Sequence, residues 1–164
     1  MIKNEEDKTH SIQYCLEIKK TIETFLEKMD VLFEEVEVFK GLSESGPKFI
    51  IKSRESGLLI GHRGENLRAL SHLVRKVAQK TNQEAKFTVD INNYQEENLK
   101  RIRNQALAAV EKVKNSGRPE ELEPMTAYER MIVHSLLGSD EAVETESVGE
   151  KSERRIVIKP KAKS

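Results

Sequence analysis

Two glycines three residues apart, Gly61 and Gly64, bracket His62 and Arg63, and this pair constrains the chain more than any other stretch. Ahead of them Ser56-Gly-Leu-Leu-Ile60 predicts one apolar helical turn. Behind them Glu65 to Lys80 predicts a longer helix. Its apolar face carries Leu67, Leu70, Leu73, Val74 and Val77, and its opposite face carries Arg68, His72, Arg75 and Gln79. A turn between two helices with glycine at both ends is built for close approach by another backbone. The free N–H groups of a helix start, beside two side chains able to carry positive charge, suit an anion, and a phosphate chain is the natural candidate. The competing explanation is an ordinary helix–helix turn with two capping glycines. A bare G-x-x-G does not separate the two.

The neighbouring elements do more. Ile12, Cys15, Leu16, Ile22, Phe25, Leu26 and Met29 recur at helical spacing from Ser11 to Asp30, after ten polar residues expected to be disordered. Val36 and Val38 alternate with glutamates in a strand expected over Val31–Lys40. A turn-forming run from Gly41 to Pro47 then leads to a second strand around Phe49-Ile50-Ile51. Lys86 to Ile91 alternates again and predicts a third strand, with Phe87, Val89 and Ile91 inward and Lys86, Thr88 and Asp90 outward. The order is helix, strand, strand, short helix, glycine loop, helix, strand.

A second unit follows. Asn93 to Asn115 predicts a helix with Leu99, Ile102, Ala106, Ala109, Val110 and Val113 as its stripe, stopped by Gly117 and Pro119. Leu122 lies in a short extended piece. Thr126 and Glu129 form a capping box for a helix ending at Gly138. Val143–Val148 and Arg155–Lys159 are strands about a turn at Gly149–Ser152, and the lysines beyond Pro160 form an untethered basic tail. On the first helix of the chain, Cys15 lies in an apolar stripe with nothing arranged to activate it, so a buried structural thiol is expected.

Net charge is zero, with 28 basic and 28 acidic side chains, which argues against simple non-specific nucleic-acid binding. The distribution is uneven. Residues 47–92 hold nine basic and four acidic side chains, whereas residues 119–150 hold one and nine. Charge is screened over about 10 Å at ordinary salt, so the local excess around the loop matters more than the total. The single cysteine excludes an internal disulfide, and no apolar run or signal-peptide core suggests membrane insertion. A cytoplasmic protein is expected.

Arg130 and His134 form the second constellation. Their i, i+4 spacing puts both on one helix face, where they could share a phosphate. Spacing alone equally allows a surface arginine and a half-buried histidine. The acidic surroundings work against an anion there, and Arg118, Arg154, Arg155 and the tail lysines offset them only if they fold onto the same side. Catalysis finds no support. The four histidines and Cys15 lack metal-ligand spacing, and the glycine run lacks the Lys-Ser/Thr of a nucleotide-binding loop. Neither metal nor cofactor is expected.

Ile60-Gly61-His62-Arg63-Gly64, in this element order, resembles the KH domain in its type II arrangement. Arg130-Met-Ile-Val-His134, with Val143–Ser147 and Arg154–Ile158 after it, resembles the R-three-H domain, a small single-stranded nucleic-acid-binding module. A KH domain followed by that module is similar to the bacterial SpoIIIJ-associated family (Jag/KhpB), and the resemblance covers roughly residues 12–159. It implies an α+β fold: a type II KH domain (α-β-β-α-α-β) over residues 11–92, then a small α/β R-three-H domain over 93–160, with 1–10 disordered and 161–164 a basic tail.

The resemblance also implies a non-catalytic protein that binds single-stranded RNA, or single-stranded DNA, through Ile60, Gly61, His62, Arg63 and Gly64, with Arg68 and Lys86 along the track and Arg130 and His134 at a second site. It implies post-transcriptional regulation linked to cell elongation or division, cell shape and the envelope. The implied partner is a small KhpA-like protein made of one KH domain. Many members carry a further N-terminal domain. Here only about ten polar residues precede the first helix, so functions that need that domain are not implied. The alternative is a protein–protein adaptor that uses the KH fold to dimerise near the membrane protein insertase.

Overall fold

The computed structural model describes residues 3–39, 46–81 and 85–161, with side chains from residue 12 onward. Most of the turn expected over Gly41–Pro47, and the lysine-rich end after Lys161, lie outside the described residues. The chain divides into two compact units, Met1–Gln95 and Glu96–Ser164.

The first unit runs α1 (Lys3–Lys28), β1 (Glu35–Phe39), β2 (Lys48–Lys52), α2 (Ser56–Ile60), a single 3₁₀ turn at His62–Gly64, α3 (Glu65–Thr81) and β3 (Thr88–Ile91). This is the expected α-β-β-α-α-β order. The sheet order is β1-β2-β3. β1 and β2 pair antiparallel with Val36 opposite Ile51, and β2 and β3 pair parallel with Ile51 opposite Ile91. A parallel pair needs a crossover, and α2, the loop and α3 supply it. Ile18, Ile22 and Leu26 of α1 and Leu67, Leu70 and Val74 of α3 join Phe49, Ile51, Val89 and Ile91 in one core. Phe87 meets Phe49 edge to face, with ring centroids 5.9 Å apart.

Several expectations change here. α1 begins at Lys3 rather than Ser11. Leu73 and Val77 of α3 are 49% and 39% exposed, because the apolar stripe is wider than the strip that α1 and the sheet cover. Cys15 is half-buried at the margin of the core rather than inside it.

Asp90, expected to face outward to solvent, is fully buried. Its Oδ1 accepts from the N–H groups of Ile91 (2.9 Å) and Gln95 (3.2 Å), and its Oδ2 lies 2.9 Å from Lys48 Nζ. A buried carboxylate persists only when it is paired and hydrogen-bonded in this way. The division between units falls after Gln95 rather than Asn92, since Tyr94 packs against the first core and Gln95 caps onto Asp90.

The second unit contains α4 (Tyr94–Ser116, most of it in this unit), β4 (Glu120–Glu121), α5 (Ala127–Leu137), β5 (Val143–Val148) and β6 (Arg155–Pro160), with sheet order β4-β6-β5, all antiparallel. Ile102, Ala106, Ala109, Val110 and Val113 of α4 and Val133 and Leu137 of α5 pack with Val143, Ile156 and Ile158 on one face of the sheet. The capping box forms as its sequence requires: Glu129 N–H donates to Thr126 Oγ1 (3.3 Å) and Thr126 N–H donates to Glu129 Oε2 (2.6 Å). Lys161 is not part of a free tail. Its N–H donates to Ala142 O and its Nζ to Asp140 O.

Candidate functional site

The glycine loop stands on a braced floor. Past β2, Ser53 is buried and its hydroxyl donates to Leu32 O at 2.6 Å, while Asn92 grips Ser53 from both sides, accepting from its N–H and donating to its carbonyl. Asn92 and Asn93 both adopt positive φ (47° and 60°), a conformation asparagine tolerates better than most residues. They swing the chain from β3 into Tyr94, whose ring lies beneath Gly64. A Cβ at Gly64 would stand 3.1 Å from Tyr94 Cε1.

Gly61 has φ 69° and ψ −176°, a region essentially restricted to glycine, and a Cβ there would come within 2.5 Å of Asn66 Cγ. Asn66 Nδ2 donates to Leu58 O at 2.7 Å and closes the loop from α3 back to α2. Arg63 is held in the left-handed region, φ 49° and ψ 33°, where a side chain costs about 1–2 kcal/mol. Arg68 Nη1 donates to Arg63 O at 2.8 Å and stabilises that conformation. His62 and Arg63 are exposed at the tip, Gly64 is buried, and Ile60 packs against the core. A strained backbone held rigid under an exposed cationic tip is what phosphate clamping needs, because ordering is complete before the ligand arrives.

Two expected track residues fall elsewhere. Arg68 turns back to brace the loop. Lys86 is exposed but precedes β3, which begins at Thr88. At about 3.3 Å per residue it lies roughly 16 Å from Ile91, the strand end that feeds Tyr94 under the loop. Arg75, expected to face solvent, also has a structural partner: its Nη2 donates to Phe87 O at 3.3 Å and its guanidinium lies 5.8 Å from the Phe87 ring centre.

In the second unit α5 presents Arg130 and His134 one turn apart, both half-buried. Arg130 Nη1 donates to Met125 O at 2.8 Å, and His134 Nδ1 lies 2.7 Å from Thr145 Oγ1 on β5. Four carboxylates of this segment are paired with cations and a fifth is hydrogen-bonded. Glu121 pairs with Arg155, Glu123 with Arg101, Asp140 with Lys114 and Glu146 with Lys159, while Glu129 accepts from Thr126 N–H and Asn98 Nδ2. Among the described residues none of these carboxylates reaches Arg130 or His134. Asp140 is held below the ordinary carboxylate value of 3.8 by the Ala142 N–H and then by Lys114.

Sequence reasoning missed Tyr94, Asn66 and Thr145. Each acts through a tertiary contact, and only Asn92-Asn93, a pair prone to positive φ, gave a local signal. Among the described residues no group of three His, Cys, Asp or Glu side chains is placed to hold a metal ion, and no helix is long and apolar enough to cross a membrane.

Fold and site together define a two-unit α+β chain with a braced G-x-x-G loop in the first unit and, in the second, an Arg-x-x-x-His helix laid on a three-stranded sheet. Residues 100–160 match the family model of the R-three-H domain. The chain is 37% identical over 109 residues to the RNA-binding protein KhpB of Clostridium symbiosum, covering 66% of this chain and 49% of that one. It is 30% identical over 152 residues to the RNA-binding protein KhpB of Bacillus subtilis, covering 91% and 70%. With the protein of the same name from Streptococcus pneumoniae the figures are 24% over 147 residues, 89% and 44%. The chain therefore belongs to the KhpB family. It spans about half the length of the first and third of these relatives.

Proposed function

We propose that this chain binds single-stranded RNA and catalyses no reaction on it. The observation that carries the proposal is the Gly61–Gly64 loop, whose exposed His62 and Arg63 sit on a backbone held in a costly conformation by Asn66, Arg68 and Tyr94. The loop clamps the sugar-phosphate backbone, and bases lie over Ile60, the exposed Leu58 and the edge strand β3. Arg130 and His134 hold a phosphate at the second unit. Each unit binds weakly and salt-dependently, and joining them in one chain raises affinity through effective concentration. The names of the relatives support RNA over DNA. Cytoplasmic post-transcriptional regulation linked to cell elongation or division, with a small single-KH protein as partner, completes the reading.

The test is a filter-binding assay against a mixed pool of short single-stranded RNA. His62→Asp with Arg63→Asp should abolish most binding while leaving the circular dichroism spectrum unchanged. Arg130→Ala with His134→Ala should cause a smaller loss. Full binding by the loop variant would refute the clamp and leave the adaptor reading in its place.

A further inference from the structure

Several basic side chains of the second unit are paired. Arg101, Lys114, Arg155 and Lys159 each face a carboxylate. Arg130, Arg154 and His134 meet no carboxylate among the described residues: Arg130 and Arg154 donate to neutral acceptors, and the His134 ring meets a hydroxyl. Arg130 donates to Met125 O, and Met125 N–H donates to Arg154 O at 3.0 Å, which ties the segment ahead of β6 to the start of α5. The exposed Arg154 then donates from Nε to Ser147 Oγ at 3.2 Å. His134 meets Thr145 on the same strand. Thus Arg154 and Arg155, adjacent in sequence, part company. Arg155 is neutralised by Glu121 and Glu153, whereas Arg154 keeps its charge and its Nη donors.

Thr145 and Ser147 are two residues apart on one face of β5, opposite Ile158 and Ile156 of β6. That spacing is about 7 Å, comparable with the separation of neighbouring phosphates along an extended single strand. We propose that the second unit holds two successive phosphates of a single strand, one at Arg130 and His134 and the next at Arg154, with Ser147 as the residue that positions Arg154. This rests on the RNA-binding reading above and adds a binding residue and a spacing to it.

The test uses the full chain carrying His62→Asp and Arg63→Asp, so that the loop is silent. The probe is a short oligouridylate in which each internal phosphate in turn is replaced by a neutral methylphosphonate. Two adjacent replacements should weaken binding to the parent chain. Arg154→Ala should weaken binding to the unmodified probe on the order of fivefold, as loss of one charge-assisted hydrogen bond at an exposed site implies. It should also lower the salt slope by about 0.7 and erase sensitivity at one of the two positions. Arg154→Gln, which keeps the stem, should do the same. Ser147→Ala should give part of this loss, and Ser147→Thr should restore it.

If Arg130→Ala weakens binding but Arg154→Ala behaves as the parent at both positions, the second phosphate site is refuted and the RNA-binding reading stands. If Arg130→Ala and His134→Ala also bind as the parent, RNA binding by this unit fails, and the inference fails with it.

Discussion

Replacing Gly61 by alanine tests whether the loop is built as described. Gly61 sits at φ 69° and ψ −176°, where an L residue costs about 1–3 kcal/mol. The new methyl group would also lie 2.5 Å from Asn66 Cγ and 2.7 Å from its Nδ2, so Asn66 must move and lose its 2.7 Å bond to Leu58 O. That loss adds about 0.5–1.5 kcal/mol. The expected total is roughly 2–4 kcal/mol, a large fraction of the stability of a small domain. Gly57→Ala is the control, since a Cβ there meets nothing within 4 Å and the residue lies in α2, where alanine is favoured by up to about 1 kcal/mol. Native-state amide exchange, read at Ile51, Val74 and Ile91, reports on the first unit alone. Equal protection in the two variants would refute the loop geometry.

Arg63→Gly should stabilise the first unit by about 1 kcal/mol by relieving the left-handed strain, while weakening RNA binding, a pairing of effects that thermal melts and filter binding read separately. Glu129→Ala leaves Thr126 N–H and Asn98 without their acceptor and should cost about 1–2 kcal/mol in urea unfolding of the second unit. The Asp140 carboxyl is held below its ordinary value of 3.8, so its stabilising contribution is complete above that pH and disappears as pH falls through the lowered folded value. Asp140→Asn should flatten the acid limb of a stability–pH curve and leave the neutral region with only a small loss.

Local pattern carried much of the fold. Period-two alternation over Lys86–Ile91 located β3, which runs Thr88–Ile91, and the Thr126/Glu129 pair located α5 to the residue, because both signals arise within a few positions of the element they specify. The stripe of α3 was legible in identity but not in width. Whether Leu73 and Val77 are covered depends on how far α1 reaches across the helix, which no local pattern records. Asp90 is the plainest case: an aspartate in an alternating strand reads as solvent-facing, yet Lys48 and the start of α4 enclose it.

The sequence by itself determined that Gly61 to Gly64 is a glycine-bracketed turn with His62 and Arg63 at its tip and that Arg130 and His134 share a helix face. Glycine's conformational freedom and the helical repeat act over a few residues, and neither depends on the rest of the chain. Only the tertiary structure decided what those residues rest on and which charges remain free. Tyr94 beneath Gly64 and Thr145 beside His134 come from elements 30 and 11 residues away. The acidic tally of residues 119–150 changed meaning once Glu121, Glu123, Asp140 and Glu146 had found their cations. Electrostatic fields follow distance in space, and chain order does not supply that distance.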